Sequence, residues 1–168
     1  MSSPLTSISN TIRDALQDTL QEELPARLTT LGLEQIQAWE KYRLDYPTSV
    51  EAPAVAIYMD RYAQPQASFS GGGNAIGNRV YTFTVALTCA GSTEEEAAVN
   101  IAAYVDAVAS VLDDTDLHDL GKTRILNVWP ESGNIDAGAM SGGSSGYYRI
   151  ATMSVSVQWS HITGSYSA

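Results

Sequence analysis

Two long runs in which apolar and small polar residues alternate limit what this chain can fold into more than any other feature. Between Val80 and Cys89, Tyr81, Phe83, Val85, Leu87 and Cys89 fall on one side of an extended backbone, and Val80, Thr82, Thr84, Ala86 and Thr88 on the other. Between Tyr147 and Trp159, Ala151, Met153, Val155, Val157 and Trp159 alternate with Thr152, Ser154, Ser156 and Gln158. A period of two is that of a strand, and one apolar face beside one semi-polar face predicts an antiparallel sheet covered on a single side. Extended at 3.3 Å per residue, the second run would reach about 43 Å, long beside a usual strand of about 5–6 residues. A half-polar strand of that length risks pairing with other chains unless a partner covers its end, so it points to assembly. Val55, Ile57 and Met59 alternate with Ala54, Ala56 and Tyr58 after Pro53, and Arg124 to Trp129 reads as a short strand ending at Pro130.

Elsewhere the period is helical. Leu5, Ile8, Ile12, Leu16, Leu20 and Leu24 recur every three or four residues with polar residues between them, an amphipathic helix that Leu28 and Leu31 extend. Pro25 interrupts the pattern, allowing a kink or a short second helix, and Gly32 is a stop signal. Glu34 to Leu44 reads as another helical piece around Ile36, Trp39 and Tyr42, before Tyr46-Pro47 forces an extended exit. A second main helix opens at Ser92-Thr93-Glu94-Glu95-Glu96, where two capping-box registers overlap, Ser92 with Glu95 and Thr93 with Glu96. Ala97, Ile101, Tyr104, Val105, Val108, Val111 and Leu112 then form the stripe that packs on the sheet. Two stretches, Gln64 to Asn78 and Glu131 to Gly146, carry glycine- and serine-rich runs and read as long hairpin loops, a length that is often functional. The expected architecture is α+β: an antiparallel sheet of about four strands flanked by two main helices. All 168 residues form one domain, with a helical region over 5–45, an α+β core over 53–160 and a short tail over 161–168.

Charge excludes some functions. The formal net charge is -10, and Thr93 to Leu120 alone holds eight acids (Glu94, Glu95, Glu96, Asp106, Asp113, Asp114, Asp116 and Asp119) with no Lys or Arg. So acidic a chain is unsuited to gripping a phosphate backbone, which is neutralised by Lys and Arg. One cysteine, Cys89, allows no internal disulfide and no Cys-based zinc site. A start lacking a basic region before an apolar run, with no continuous apolar span, reads as a soluble chain made in the cytoplasm, without a membrane partner.

No catalytic or cofactor motif survives inspection. Gly121-Lys122-Thr123 resembles the end of a phosphate-binding loop, but Asp116 stands where its first glycine belongs. Asp114, Asp116 and His118 suggest a calcium loop, yet Asp119 and Ile125 replace the glycine and glutamate such a loop requires. His118 and His161 lie in no nucleophile motif, and Cys89 continues an apolar strand face as a structural thiol would. Trp39, Trp129 and Trp159 read as core or interface anchors. The chain is therefore expected to be neither an enzyme nor a carrier of a cofactor or metal.

In order, the elements are Ile8 to Leu24 as an opening helix, Pro53-Ala54-Val55-Ala56-Ile57-Tyr58 as a strand, and Tyr81 to Leu87 running into Ser92-Thr93-Glu94-Glu95-Glu96-Ala97-Ala98. A helix to Leu112 and a final strand over Tyr147 to Trp159 complete it. This order resembles the tail-terminator and related neck, or head-tail joining, proteins of long-tailed bacteriophages. The resemblance covers most of the chain as an ordering of patterns; Glu34 to Val50 and the long glycine-rich loops depart from it. It implies a structural virion protein of the tail or neck, made in the host cytoplasm, whose protomers close into a homohexameric ring. Such a ring caps the tail tube, joins it to the head connector and lets DNA pass as cargo without sequence recognition. Its partners would be itself, the tail tube protein and a connector or other neck protein. Within that picture Phe69, Asn74, Ile76, Ile135 and Met140 are candidate assembly contacts, as residues of the two loops, and Glu94, Glu95 and Glu96 are a candidate acidic lumen face or a solubilising outer one. Another neck component, such as a head-completion, connector or minor tail protein, is the alternative, and an unrecognised enzyme or small-ligand module the third.

Overall fold

The computed structural model describes residues 8–41, 52–63, 68–69, 75–114, 125–136 and 147–162. The leucine ladder at the start of the chain forms α1, Ile8–Leu31, and buries Ile12, Leu16, Leu20, Leu24 and Leu28 completely or nearly so. The helix runs through Pro25 as one element. It stops at Gly32, whose φ of 69° lies in the left-handed region where a side chain would be strained. There the Gly32 amide donates to the Thr29 carbonyl (3.2 Å) and the Leu33 amide to the Leu28 carbonyl (2.9 Å), the paired bonds of a glycine C-cap.

The segment after Gly32 departs from expectation. Instead of a helix around Ile36 and Trp39, the chain is extended, and Ala38–Glu40 forms a short strand, β1. Its backbone is satisfied by a neighbour: the Gln37 amide donates to the Pro53 carbonyl (2.8 Å), and β1 pairs in parallel with the start of β2, Ala54–Ala63. Ile36 and Trp39 still pack on the core, from a non-helical backbone and not from a helix face. Tyr42 and Leu44 lie outside the described residues.

Four long strands make the sheet, as expected, and all four pair antiparallel: β2, then β4 (Ala75–Gly91), β6 (Tyr147–Ile162) and β5 (Ile125–Asp136) in spatial order. With β1 parallel on one edge and a two-residue β3, Ser68–Phe69, on β4, the sheet is mixed overall. All four are longer than the alternation indicated, β2 running on to Ala63. The ladder between β4 and β6 extends from Ile76↔Ile162 to Gly91↔Tyr147, so the end of the first expected loop, from Ile76 to Asn78, is strand. β5 continues through Pro130 to Asp136, with register shifts between Ile125 and Asn127 and between Pro130 and Ser132. A proline is tolerated there because β5 is the edge of the sheet, where one missing amide breaks no central ladder. Residues 161 and 162, expected in the tail, belong to β6.

Between β4 and β5, α2 (Glu94–Asp114) crosses the sheet, and β6 inserts between the strands it connects. Both helices pack on one face, in a core with Val55, Ile57, Phe83, Val85, Leu87, Val155 and Val157. No described helix lies on the opposite face, as expected, and there Tyr58, Thr84, Thr152, Ser154 and Gln158 are half-buried. Ala54, Ala56, Thr82, Ala86, Thr88 and Ser156 occupy it by register, and all are buried. Their small side chains have little surface to expose, and Tyr58 packs against Ala56 and Ala86.

Candidate functional site

The acidic start of α2 is built much as its sequence predicts. Thr93 is the N-cap: its Oγ1 accepts from the Glu96 amide (3.1 Å), while the Thr93 carbonyl accepts the first helical bond from Ala97 (3.1 Å). The Glu96 carboxylate reaches back to Ser92, accepting from its amide (2.7 Å) and from its hydroxyl, both through Oε2. These bonds stabilise the anion and hold Glu96 below its ordinary value. Glu94 accepts from Arg149 of β6 at 2.9 Å. Of the three glutamates, two are thus engaged in fastening α2 to its cap and to the sheet, and Glu95 extends into solvent.

The end of β4 is drawn against this cap more closely than any motif foretold. A Cβ on Gly91 would stand 2.6 Å from the Ala97 amide nitrogen, so only glycine lets β4 hand over to α2 at this distance. Beside it, the Cys89 thiol donates to the Ala97 carbonyl (3.4 Å), and burial pushes its pKa up to about 11. A thiol held neutral at physiological pH is a structural group and a poor nucleophile. Tyr104 is pushed up to about 12, chiefly by burial, and its hydroxyl donates to the Glu34 carbonyl (2.8 Å), tying α2 to the segment that follows α1.

Where these elements meet, a polar cleft of about 550 Å³ opens, lined by Glu34, Cys89, Gly91, Glu96, Asn100, Tyr104 and Tyr148 among others. A second, mainly apolar groove of about 340 Å³ lies between the helices at Leu31, Thr30 and Ala107, beside the ion pair of Arg27 with Asp114 (2.6 Å). No cluster of three or more His, Cys, Asp or Glu side chains suited to a metal occurs among the described residues, and none of their helices is long and apolar enough to cross a membrane.

The expected contact residues separate into two places. Phe69 on β3 and Ile76 on β4 are neighbours on one ladder, where Phe69 pairs with Ala75 and Ser68 with Ile76. Ile135 on β5 pairs with Ala151, which pairs with Leu87. From Ile76 to Leu87 along β4 is about 37 Å at 3.4 Å per residue, so the structure does not bring these residues together. Asn74 and Met140 lie outside the described residues, as do Asp116, His118 and Lys122. Gly91, Asn100, Tyr148 and Arg149 were not foreseen. They come from β4, α2 and β6, and only the unusual Cys-Ala-Gly-Ser exit from a long strand hinted at one of them.

No protein-family model matches the chain, and no curated protein matches it in sequence. Among solved structures it is similar to a chain of the virion of a native gene transfer agent (GTA) particle, with a TM-score of 0.53 and 13% identity. That alignment covers 92% of this chain and 98% of the other. An alignment to the type 4 fimbrial biogenesis protein PilO from Pseudomonas aeruginosa covers 89% and 72% at 10% identity, but its TM-score of 0.31 is too low to indicate a common fold. At these identities the likeness to the virion chain is one of fold, extending over nearly the whole of both chains.

Proposed function

We propose that this protein is a structural subunit of a phage-like virion and, within it, the tail terminator: a ring, six copies in the simplest case, that caps the tail tube and joins it to the head connector. The observation that carries this reading is the fold match to a virion chain over 92% and 98% of the two chains, reached independently of the element order that resembles terminator and neck proteins. The role is geometric and requires no bond-making. A joint needs two different ends, and the strands flanking the two glycine-rich segments end at opposite ends of the ladder between β4 and β6, Ala75 at one and Tyr147 at the other. Phe69 and Ile76 would then belong to one contact region and Ile135 to the other, with Asn74 and Met140 in the segments between. A passage for DNA favours walls that repel phosphate, and Glu94, Glu95 and Glu96 would supply such a wall if α2 faces the lumen.

Native mass spectrometry of the chain, alone and mixed with tail-tube protein from the same particle, tests this. The expected result is a discrete ring that binds tube ends. A chain that remains monomeric with tube protein and binds no ends overturns the proposal, and a ring that binds only the head connector reassigns it to a different neck position.

A further inference from the structure

The two broad surfaces of the chain differ in charge as well as in cover. On the helical side α2 carries six acids and no cation, and α1 four acids against two arginines. Glu95, Asp106 and Asp113 are exposed there and form no ion pair among the described residues. On the helix-free side, β4 from Val80 to Thr88 and β6 from Ile150 to Gln158 place no charged residue by register. Glu40, Arg61 and Asp136 stand at the margins of that face, on β1, late in β2 and at the end of β5. Of the side chains described on it, Tyr58 is the largest: it lies half-buried against Ala56 and Ala86, and its hydroxyl has no partner among the described residues. The Thr88 hydroxyl on the same face also lacks one, although Thr88 is only 1% exposed, so the face is not satisfied within the chain. The helical side offers the complementary shape, the apolar groove of about 340 Å³ between α1 and α2. Leu31 is 51% exposed there beside Ala107, and Arg27 and Asp106 belong to the lining.

We propose that the helix-free sheet face of one subunit docks on the helical layer of a second copy, with Tyr58 seated in the groove between α1 and α2. The inference rests on the ring reading above and names the contact that closes the ring. Copies carrying -10 each repel most strongly when their acidic helices meet, and an uncharged face against an acidic one avoids that arrangement. Serine and threonine hydroxyls of the sheet are also donors suited to exposed carboxylates. In the groove, the tyrosine ring covers Leu31 and Ala107 while its hydroxyl stands within the reach of Arg27 or Asp106. The face has the area this needs. Four strands wide and nine residues long, from Val80 to Thr88, it measures roughly 19 Å by 31 Å, or about 600 Å² per copy, which brings the pair to the lower end of stable interfaces. The two contact points also stand at similar heights. Thr84, the partner of Tyr58, lies about 24 Å along β4 from Gly91, and Ala107 and Ser110 lie about 15–20 Å along α2 from Ala97, which abuts Gly91. Different surfaces that meet front to back at matched heights stack with little rise, which favours a closed ring over a filament.

The test mixes full-length chains bearing Thr84→Cys, on the sheet face, with chains bearing Thr30→Cys, in the groove lining, and treats the assembly with a short bis-maleimide while native mass spectrometry reads its size. Cross-linked pairs are expected in the mixture and in neither chain alone, with the buried Cys89 unreacted. Tyr58→Ala and Thr30→Trp, on opposite surfaces, are each expected to raise about tenfold the concentration at which half the rings have dissociated, with circular dichroism unchanged. The docking mode is overturned, and the ring reading left intact, by a ring whose mixture gives no cross-link, by Thr84→Cys chains that link to one another, or by a dissociation midpoint that either variant leaves unchanged. Absence of any ring overturns both.

Discussion

The two faces of the sheet draw their buried residues from the same strands, β2, β4 and β6, and bury them by different means. Toward the helices stand Phe83, Val85, Leu87, Val155 and Val157, large side chains with at most 1% of their surface exposed. On the other face stand Ala54, Ala56, Thr82, Ala86, Thr88 and Ser156, just as buried and far smaller. Alternation therefore tells which face holds the bulk of the apolar side chains, but not which small residues of the other face are buried beside the half-exposed Thr84, Thr152, Ser154 and Gln158. The first face gains its stability from apolar area removed from water, roughly 25 cal/mol per Å². The second has little area to give and depends on fit and on the contact between the Thr82 and Ser156 hydroxyls (3.3 Å), while the buried Thr88 hydroxyl has no hydrogen-bond partner among the described residues.

That contrast can be broken in graded steps. Phe83→Ala should cost about 3–5 kcal/mol, read from urea denaturation, because a fully buried ring leaves a cavity between strand and helix. Ala86→Leu on the opposite face should cost about 1–3 kcal/mol through overpacking. A solvated face would accept the larger residue without loss, so an unchanged midpoint would contradict the tight packing described for it. Ser156→Ala, by the same measurement, should cost about 1 kcal/mol, since it removes one partner of the buried hydroxyl pair and leaves the other. Val99→Ser, at a position 63% exposed on the outer side of α2, should stay within about 0.5 kcal/mol in thermal melts.

How α2 is fastened over the first face can be sharpened by pH. Glu96 is held below its ordinary value of 4.5 when folded, so the stability it contributes is fully present above that value and is lost as pH falls through the lower, folded one. Hydrogen exchange at the first turn of α2 should accelerate across that acidic window in the native chain and much less in Glu96→Gln.

The elements visible in the sequence were those specified by neighbouring residues. Thr93 with Glu96 marks the start of α2, Gly32 marks the end of α1, and the alternation from Tyr81 to Cys89 marks the centre of β4. What the sequence concealed depends on residues far along the chain. Ile36 and Trp39 suit a helix or a strand equally, and the choice was made by β2, which offers backbone partners to β1. Gly77 and Asn78 look like turn residues, but their extended form is fixed by pairing with His161 and Ser160. Pro130 and Gly133 look like the end of a strand, and the edge position of β5 is what tolerates them. The cleft was hidden for the same reason: Glu34, Gly91, Asn100 and Tyr148 share no spacing, and only the fold makes them neighbours.

The central claim is that this chain works by its position in a particle and not by chemistry. Its most direct test is cryo-electron microscopy of particles assembled with and without the chain. The account predicts a ring of density with this fold at the head-proximal end of the tail tube, and tubes of irregular length unattached to heads when the chain is left out. Tails of normal length joined normally to heads in its absence, with no such ring in the complete particle, would contradict it.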